Sequence, residues 1–347
     1  MIFEYAKRKQ LTIASLGAMA ITSSLSAQVI EVEYNSPTMD RWNYPFNGAP
    51  GSRLSASTFG AIELDGFDDH DAQLLLGFET FADIPFGLDP SEYQILSATI
   101  SITSTNDEEF RYDPTYDTHD TYLFLDESLD TDLGRPTQLW AVGYRNGYDQ
   151  STFGEFTAFG GTPTVEPTQE SRHAFAAYFP DGVTATDVSN NLKQEFDATP
   201  MAIGQTDSVA PGEFVPADAM FTFEVNLCDP AVREYLNDSL ALGDLRFAVS
   251  SLHTANGGAG GGVGDIAYPF WYTRENPIAQ IFGYAPKLQI RVRVGSPADY
   301  NGDGSLNFFD VSAFLSDFSE GNTDADLNSD CTLNFFDIST FLSAFSG

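Results

Sequence analysis

The sequence predicts a mainly β protein: an antiparallel β-sandwich, jelly-roll-like, followed by a small α-helical module. Three observations predict this. Short runs recur along residues 28–295, several alternating polar and apolar in period two, with Pro, Gly, Asn and Asp clusters between them. One segment of that region carries the punctuation of a helix. Residues 296–347 then repeat themselves at an offset of 27, with apolar residues at helical spacing.

The chain has 347 residues. It opens with a basic patch, Lys7-Arg8-Lys9, an apolar stretch from Leu11 to Ile21, and small residues ending at Ala27. Basic, apolar, small is the order of a secretory signal, so residues 1–27 are expected to be removed after Ser26 or Ala27. The mature protein is then expected outside the cytoplasm: extracellular, on the cell surface, or periplasmic. In residues 28–295 the expected strands are Gln73–Glu79, Gln94–Thr103, Thr121–Leu125, Gln138–Gly143, Met220–Leu227, Leu245–Ser251, Ile278–Gly283 and Lys287–Val294. The last alternates strictly, which places Leu288, Ile290, Val292 and Val294 on one buried face. Asp229 as cap and Pro230 in the first turn predict a helix from Ala231 to about Asp238.

Composition excludes several functions. The 50 acidic residues against 16 basic give a formal net charge of −34, which argues against nucleic acid or an anionic membrane as a partner. No apolar run is long enough to insert in a membrane. Two cysteines exclude a disulfide-rich scaffold and a Cys-based zinc cluster. Cys228 and Cys331 could pair after export, and the sequence leaves this open. No Lys or Arg follows Arg293, and residues 296–347 hold nine acids. Gly295-Ser296-Pro297 marks the boundary between the two domains.

The tail carries the clearest chemistry. Residues 307–319 and 334–346 are identical at ten of thirteen positions. Ahead of each copy stands a ladder of oxygen ligands: Asp299, Asn301, Asp303, Ser305, Asn307 and Asp310, then Asp326, Asn328, Asp330, Thr332, Asn334 and Asp337. These occupy positions 1, 3, 5, 7, 9 and 12 of a twelve-residue calcium loop, whose hard cation takes six to eight oxygens. Two Ca2+ sites are therefore expected. Gly304 fills position 6 of the first loop, where the chain turns sharply, and Cys331 fills it in the second, which predicts a weaker second site. Val311, Phe314, Leu315 and Phe318, and their counterparts Ile338, Phe341, Leu342 and Phe345, mark a helix after each loop.

Paired loops with Asp at position 12 and no entering helix resemble a type I dockerin. The Phe-Phe-Asp-Val-Ser-Ala-Phe-Leu phrasing resembles, more narrowly, the GC-type dockerin domains of secreted bacterial proteins. Cys331 departs from the pattern, as does an ending without the terminal Gly-Cys. The resemblance implies calcium-dependent folding and docking on a cohesin-like receptor or scaffold. It places recognition at positions 10 and 11, here Phe308, Phe309, Phe335 and Phe336. One Phe of each pair is expected in the core of so small a module, and the other as a partner anchor.

The larger domain shows no Gly-x-Ser-x-Gly, His-Glu-x-x-His or phosphate-loop signature. Gly257–Gly264 reads as a surface loop. Two acidic knots contain histidine: Asp68-Asp69-His70-Asp71, and Asp113, Asp117, His119 with Asp120. Both are expected as solvated loops, with structural calcium as the functional alternative. Trp42-Asn43-Tyr44 and Phe270-Trp271-Tyr272 are expected in the core, with stacking on sugars as the alternative. These readings favour a non-catalytic glycan-binding or structural surface module anchored by its tail, with an extracellular polysaccharide as a partner. The alternative is an anchored polysaccharide-degrading enzyme, a hydrolase or lyase, whose carboxylates cannot be picked from 40 acids in residues 28–295. A third reading makes the tail a mere cap on the sandwich.

Overall fold

The computed structural model describes residues 28–61, 66–124, 134–161, 164, 167–255 and 267–346. Residues 1–27, expected to be a leader, the glycine run 257–264 and Leu125 lie outside the described residues.

In chain order the elements are β1 (Gln28–Tyr34), β2 (Met39–Asn43), β3 (Ser55–Ser57), β4 (Gln73–Glu79), β5 (Tyr93–Thr103) and α1 (His119–Phe124). Then come β6 (Thr137–Tyr144), β7 (Ala174–Tyr178), β8 (Thr186–Asp187), β9 (Ala202–Ile203), β10 (Met220–Glu224) and α2 (Pro230–Leu242). The chain continues through β11 (Asp244–Ser251), β12 (Phe270–Tyr272), α3 (Pro277–Phe282) and β13 (Lys287–Val294) to the tail helices α4 (Phe308–Glu320) and α5 (Phe335–Ser346). One antiparallel sheet has the order β1-β13-β5-β10, and a second runs β2-β4-β11-β6-β7-β8 with β9 beside β6. The short β3–β12 ribbon is separate.

The two sheets share one core. Leu74, Leu76 and Phe78 of β4 and Phe247 and Val249 of β11 cluster with Ile100 and Ile102 of β5 and Phe221 and Phe223 of β10. Leu288, Ile290, Val292 and Val294 join them, so the alternation of β13 sets its buried face as expected. Each such side chain contributes about 1.5–3 kcal/mol on burial. The second sheet is buried on its other face too. Leu75, Trp140, Val142 and Ala248 pack there against Phe153, Val188 and Ala198 from long loops. That double burial explains why Leu74-Leu75-Leu76 does not alternate.

Two expected strands are helices. Thr121–Leu125 gives way to α1, whose Thr121 N–H is capped by Thr118 Oγ1 at 3.1 Å. Ile278–Gly283 gives way to α3: Asn276 caps Ile278 N–H, Pro277 opens the helix and Gly283 closes it at φ 74°. Asn-Pro ahead and Gly behind outweigh a short apolar run. The predicted helix holds and extends to Leu242, capped by Asp229 at Ala231 N–H and ended by Gly243.

The tail packs its two helices around Tyr300, Phe314, Ala325 and Phe341. Phe314 and Phe341 are equivalent residues of the repeat, and their rings stack at 4.5 Å with 4° between planes. A residue meeting its own counterpart makes this an isologous contact, as in a symmetric dimer.

Candidate functional site

The two tail loops share one pattern of hydrogen bonds. In the first, Gly304 N–H donates to Asp299 Oδ2 at 3.0 Å, Asp303 N–H to Asn301 Oδ1 at 2.9 Å and Ser305 N–H to Asp303 Oδ1 at 2.8 Å. In the second, Cys331 N–H donates to Asp326 Oδ2 at 2.7 Å, Asp330 N–H to Asn328 Oδ1 at 3.0 Å and Thr332 N–H to Asp330 Oδ1 at 2.9 Å. The closing carboxylates are fully buried. Asp310 accepts from Asn301 N–H and Asn307 N–H, and Asp337 accepts from Asn328 N–H and Asn334 N–H. Asn307 and Asn334 in turn cap Phe309 N–H and Phe336 N–H at 2.8 and 2.7 Å. Positions 9 and 12 of each loop therefore double as a helix capping box.

The backbone repeats as well. Gly302 and Gly304 are left-handed at φ 73° and 80°, and Ser329 and Cys331 hold the same positions at 55° and 62°. The second loop thus bears two side chains where the first has none, at a cost of roughly 1–2 kcal/mol each. The donor set fits a hard dication: three carboxylates, amide oxygens and a backbone carbonyl at position 7, with no base in the module.

Phe308, Phe309, Phe335 and Phe336 correct the expectation that half of them would be core. All four are exposed, at 75%, 69%, 72% and 66%. The module's interior is already filled by Tyr300, Phe314 and Phe341 with Val311, Phe318, Ile338 and Phe345 around them. The phenylalanines stand in the first turns of α4 and α5, off that face.

The tail is fixed to the sandwich by polar groups and one covalent bond. Cys228 and Cys331 form a disulfide. Arg291 grips Asp324 with both terminal nitrogens. Arg293 donates to Asp324 O and lies 4.4 Å from the Tyr300 ring, while Gln94 Nε2 donates to Asp326 O at 2.8 Å. These groups project from the outer face of β5 and β13 and meet the tail loops.

The first acidic knot departs from the solvated loop expected of it, and the second departs in part, since Asp120 is exposed as expected. Asp68, Asp69, His70 and Asp71 are all buried. Arg172 pairs with Asp68, Lys193 N–H donates to Asp69 at 2.8 Å, and Gln169 Nε2 donates to Asp71 at 3.0 Å. Each carboxylate thus has a protein donor, while Asp69 Oδ1 and Asp71 Oδ2 accept no hydrogen bond. Burial holds all three carboxyls above their usual range, Asp71 at about 6. In the second knot Asp113 and Asp117 are buried, Asp117 paired with Arg135 at 3.0 Å, while His119 meets Asp197 at 3.0 Å near the surface.

His70 completes a chain that resembles a catalytic relay in outline. Trp140 Nε1 donates to Ser250 Oγ at 2.9 Å, Ser250 Oγ stands 3.0 Å from His70 Nδ1, and His70 Nε2 stands 3.0 Å from Asn191 Oδ1. All four residues are buried and Ser250 has no exposed surface, so no substrate reaches its oxygen. Burial drives His70 down to about 4, keeping it neutral.

The aromatic segments are mainly core: Tyr44, Trp271 and Tyr272 are buried. Trp42 stacks on Tyr44 at 4.7 Å, carries Arg53 at 5.3 Å, and with Phe270 lines an open groove of about 410 Å³. Sequence reasoning did not find one further cluster. Asp40 of β2, Glu155 and Glu275 converge on Arg274 from three distant segments. Burial raises Glu155 to about 7 and Asp40 further. Among the described residues no helix is long and apolar enough to cross a membrane. No protein-family model, curated protein or solved structure matches the chain.

Proposed function

We propose that this is a secreted, calcium-binding protein anchored through a dockerin-like tail, with a non-catalytic, jelly-roll-like sandwich that binds a glycan or serves as a structural surface module. The observation that carries the reading is the equivalence of the two loops, each with a buried closing aspartate. Asp299, Asn301, Asp303, the Ser305 carbonyl, Asn307 and Asp310 would hold one Ca2+, and Asp326, Asn328, Asp330, the Thr332 carbonyl, Asn334 and Asp337 a second. The ions cross-link each loop to the helix behind it. Phe308, Phe309, Phe335 and Phe336 then offer two equivalent apolar patches to a cohesin-like receptor, in keeping with aromatic anchors at interfaces. The Cys228–Cys331 disulfide supports export to an oxidising compartment. The groove beside Trp42 and Phe270, with Arg53 and three serines, is the place for a sugar.

The test is calcium stoichiometry by equilibrium dialysis of the full, oxidised chain. Asp303→Ala with Asp330→Ala is expected to lower the count by two. An unchanged count would remove the tail from consideration. Capture of the calcium-loaded chain on an immobilised cohesin domain, lost in chelator, tests the docking half.

A further inference from the structure

The Asp40–Glu155–Glu275 cluster is more than an ion-pair network, because Arg274 hydrogen-bonds only one oxygen of each carboxylate. Its backbone N–H donates to Asp40 Oδ2 at 2.6 Å, Nη2 to Glu155 Oε2 at 2.6 Å and Nε to Glu275 Oε1 at 2.8 Å. Its remaining nitrogen, Nη1, is committed to the carbonyls of Pro37 and Thr38. Asp40 Oδ1, Glu155 Oε1 and Glu275 Oε2 are left buried without a hydrogen bond. Asp40 Oδ1 has only the ion-pair approach of Arg274 Nε at 3.4 Å. A buried carboxylate oxygen without a donor is costly unless a cation or a proton meets it.

The geometry suits a cation. One ligand oxygen from each of the three residues lies within 4.8 Å of the others, the span of two calcium–oxygen bonds of about 2.4 Å. The positions are held from outside. Arg41 clamps the segment bearing Glu155, donating from Nη1 to the carbonyls of Gly154 at 3.1 Å, Glu155 at 3.3 Å and Thr157 at 2.7 Å. Asp40 has no exposed side-chain surface, while Glu275 is 26% exposed and gives the site a mouth. Three carboxylates against Arg274 leave an excess of negative charge, part of it offset by Arg41. All the ligands are oxygen, with no His or Cys, which selects a hard ion.

We propose that Asp40, Glu155 and Glu275 form a calcium site in the sandwich, separate from the tail loops. Three protein oxygens are fewer than the six to eight calcium usually takes, so the affinity belongs to the weak range of extracellular modules, about 10⁻⁴–10⁻³ M. The ion ties β2, the 154–157 segment and the turn between β12 and α3 into one unit.

Calcium dialysis of the full, oxidised chain at millimolar free Ca2+ separates this proposal from the tail reading. Wild type is expected to bind three ions. Two, falling to none with Asp303→Ala and Asp330→Ala, would overturn the sandwich site and leave the tail intact; one, surviving Asp303→Ala with Asp330→Ala, would overturn the tail and leave the sandwich site. Glu155→Gln with Glu275→Gln is expected to remove one ion from either background. Glu275→Gln alone, at the rim, keeps the fold and should weaken this ion at least tenfold. In the tail-disabled chain calcium should raise the melting temperature, and Glu275→Gln should diminish that rise. An undiminished rise, or a count insensitive to both glutamines, shows that protons satisfy these oxygens instead.

Discussion

Cys228, just past β10 on the sandwich, is bonded to Cys331, the sixth residue of the second tail loop, with 5.5 Å between their Cα atoms. The bond joins the domain body to the residue on which the loop turns. It also explains why that position is not glycine. Cys331 accepts a left-handed backbone, at φ 62°, in exchange for a covalent anchor.

The two partners are 103 residues apart, and closing a loop of that length is worth about 4–5 kcal/mol in the chain-entropy account. Cys228→Ser with Cys331→Gly removes the cross-link and the strained side chain together. The expected result is a melt that splits in two, with the tail unfolding first, followed by calorimetry. Proteolysis at acidic residues should then cut near 296–303 while the sandwich resists. A single unsplit transition would show that Arg291, Arg293 and Gln94 hold the tail unaided.

Ser329 and Gly302 are equivalent positions of the repeat, both left-handed, at φ 55° and 73°. Ser329 is therefore the one strained residue of the second loop that can be relieved without touching the disulfide. Ser329→Gly is expected to stabilise the tail by about 1 kcal/mol and to tighten calcium at the second loop about fivefold. Gly302→Ser should do the reverse at the first. Calcium titration of both variants checks the sign; loss of affinity with Ser329→Gly would mean that the serine hydroxyl contributes to the loop.

Much of the sandwich was legible because alternation, as in Lys287–Val294, and a short apolar run between turn residues, as in Gln73–Glu79, are local signals. Gln73–Glu79 and Lys287–Val294 come out at the bounds read from sequence. Strands such as Ser55–Ser57 and Ala202–Ile203 were not legible, since two or three residues cannot show a period. Pro277–Phe282 carried a readable cap in Asn276-Pro277, which its apolar content obscured. The acidic knots misled for a different reason. Charge density in sequence reports a solvated face only when no buried partner exists, and Arg172 lies 104 residues from Asp68. The Asp40–Glu155–Glu275 cluster was invisible on the same ground. The tail ladders stood out because one short segment supplies every ligand.

The exposure of Phe308, Phe309, Phe335 and Phe336 sets stability apart from recognition. Phe308→Ser with Phe335→Ser removes one ring from each patch and is expected to change unfolding free energy by no more than about 0.5 kcal/mol. Retention on a phenyl matrix should fall, and cohesin binding with it. Both patches must be altered, because the repeat presents the same residues twice. A large loss of stability would place these rings in the core after all.

Acid should destabilise the sandwich through its buried histidines. Burial brings His70 and His253 each from 6.5 down to about 4. The cause at His70 is specific. Asn191 Nδ2 donates to Phe196 O, which turns Asn191 Oδ1 to accept from His70 Nε2–H, so in the neutral ring Nδ1 accepts from the Ser250 hydroxyl, whose oxygen already takes Trp140 Nε1–H. Protonating Nδ1 would displace that hydroxyl hydrogen from its acceptor inside a buried cluster. Above pH 6.5 both folded and unfolded chains carry neutral imidazoles, and the contribution is fully present. As the pH falls from 6.5 toward 4 the unfolded chain takes up protons that the folded chain refuses, and stability is lost. Each histidine accounts for about 3 kcal/mol over that window. Asp71, held at about 6, runs the other way, since its folded form is protonated first and gains stability as the pH falls below 6. The informative quantity is therefore a difference between variants. His70→Gln lowers stability at pH 7.5 by about 1–3 kcal/mol through lost hydrogen bonds. Between pH 6.5 and 4 its unfolding free energy should fall less steeply than that of wild type, so that the two curves converge or cross. Parallel curves across that window would mean that His70 takes up its proton in the folded state.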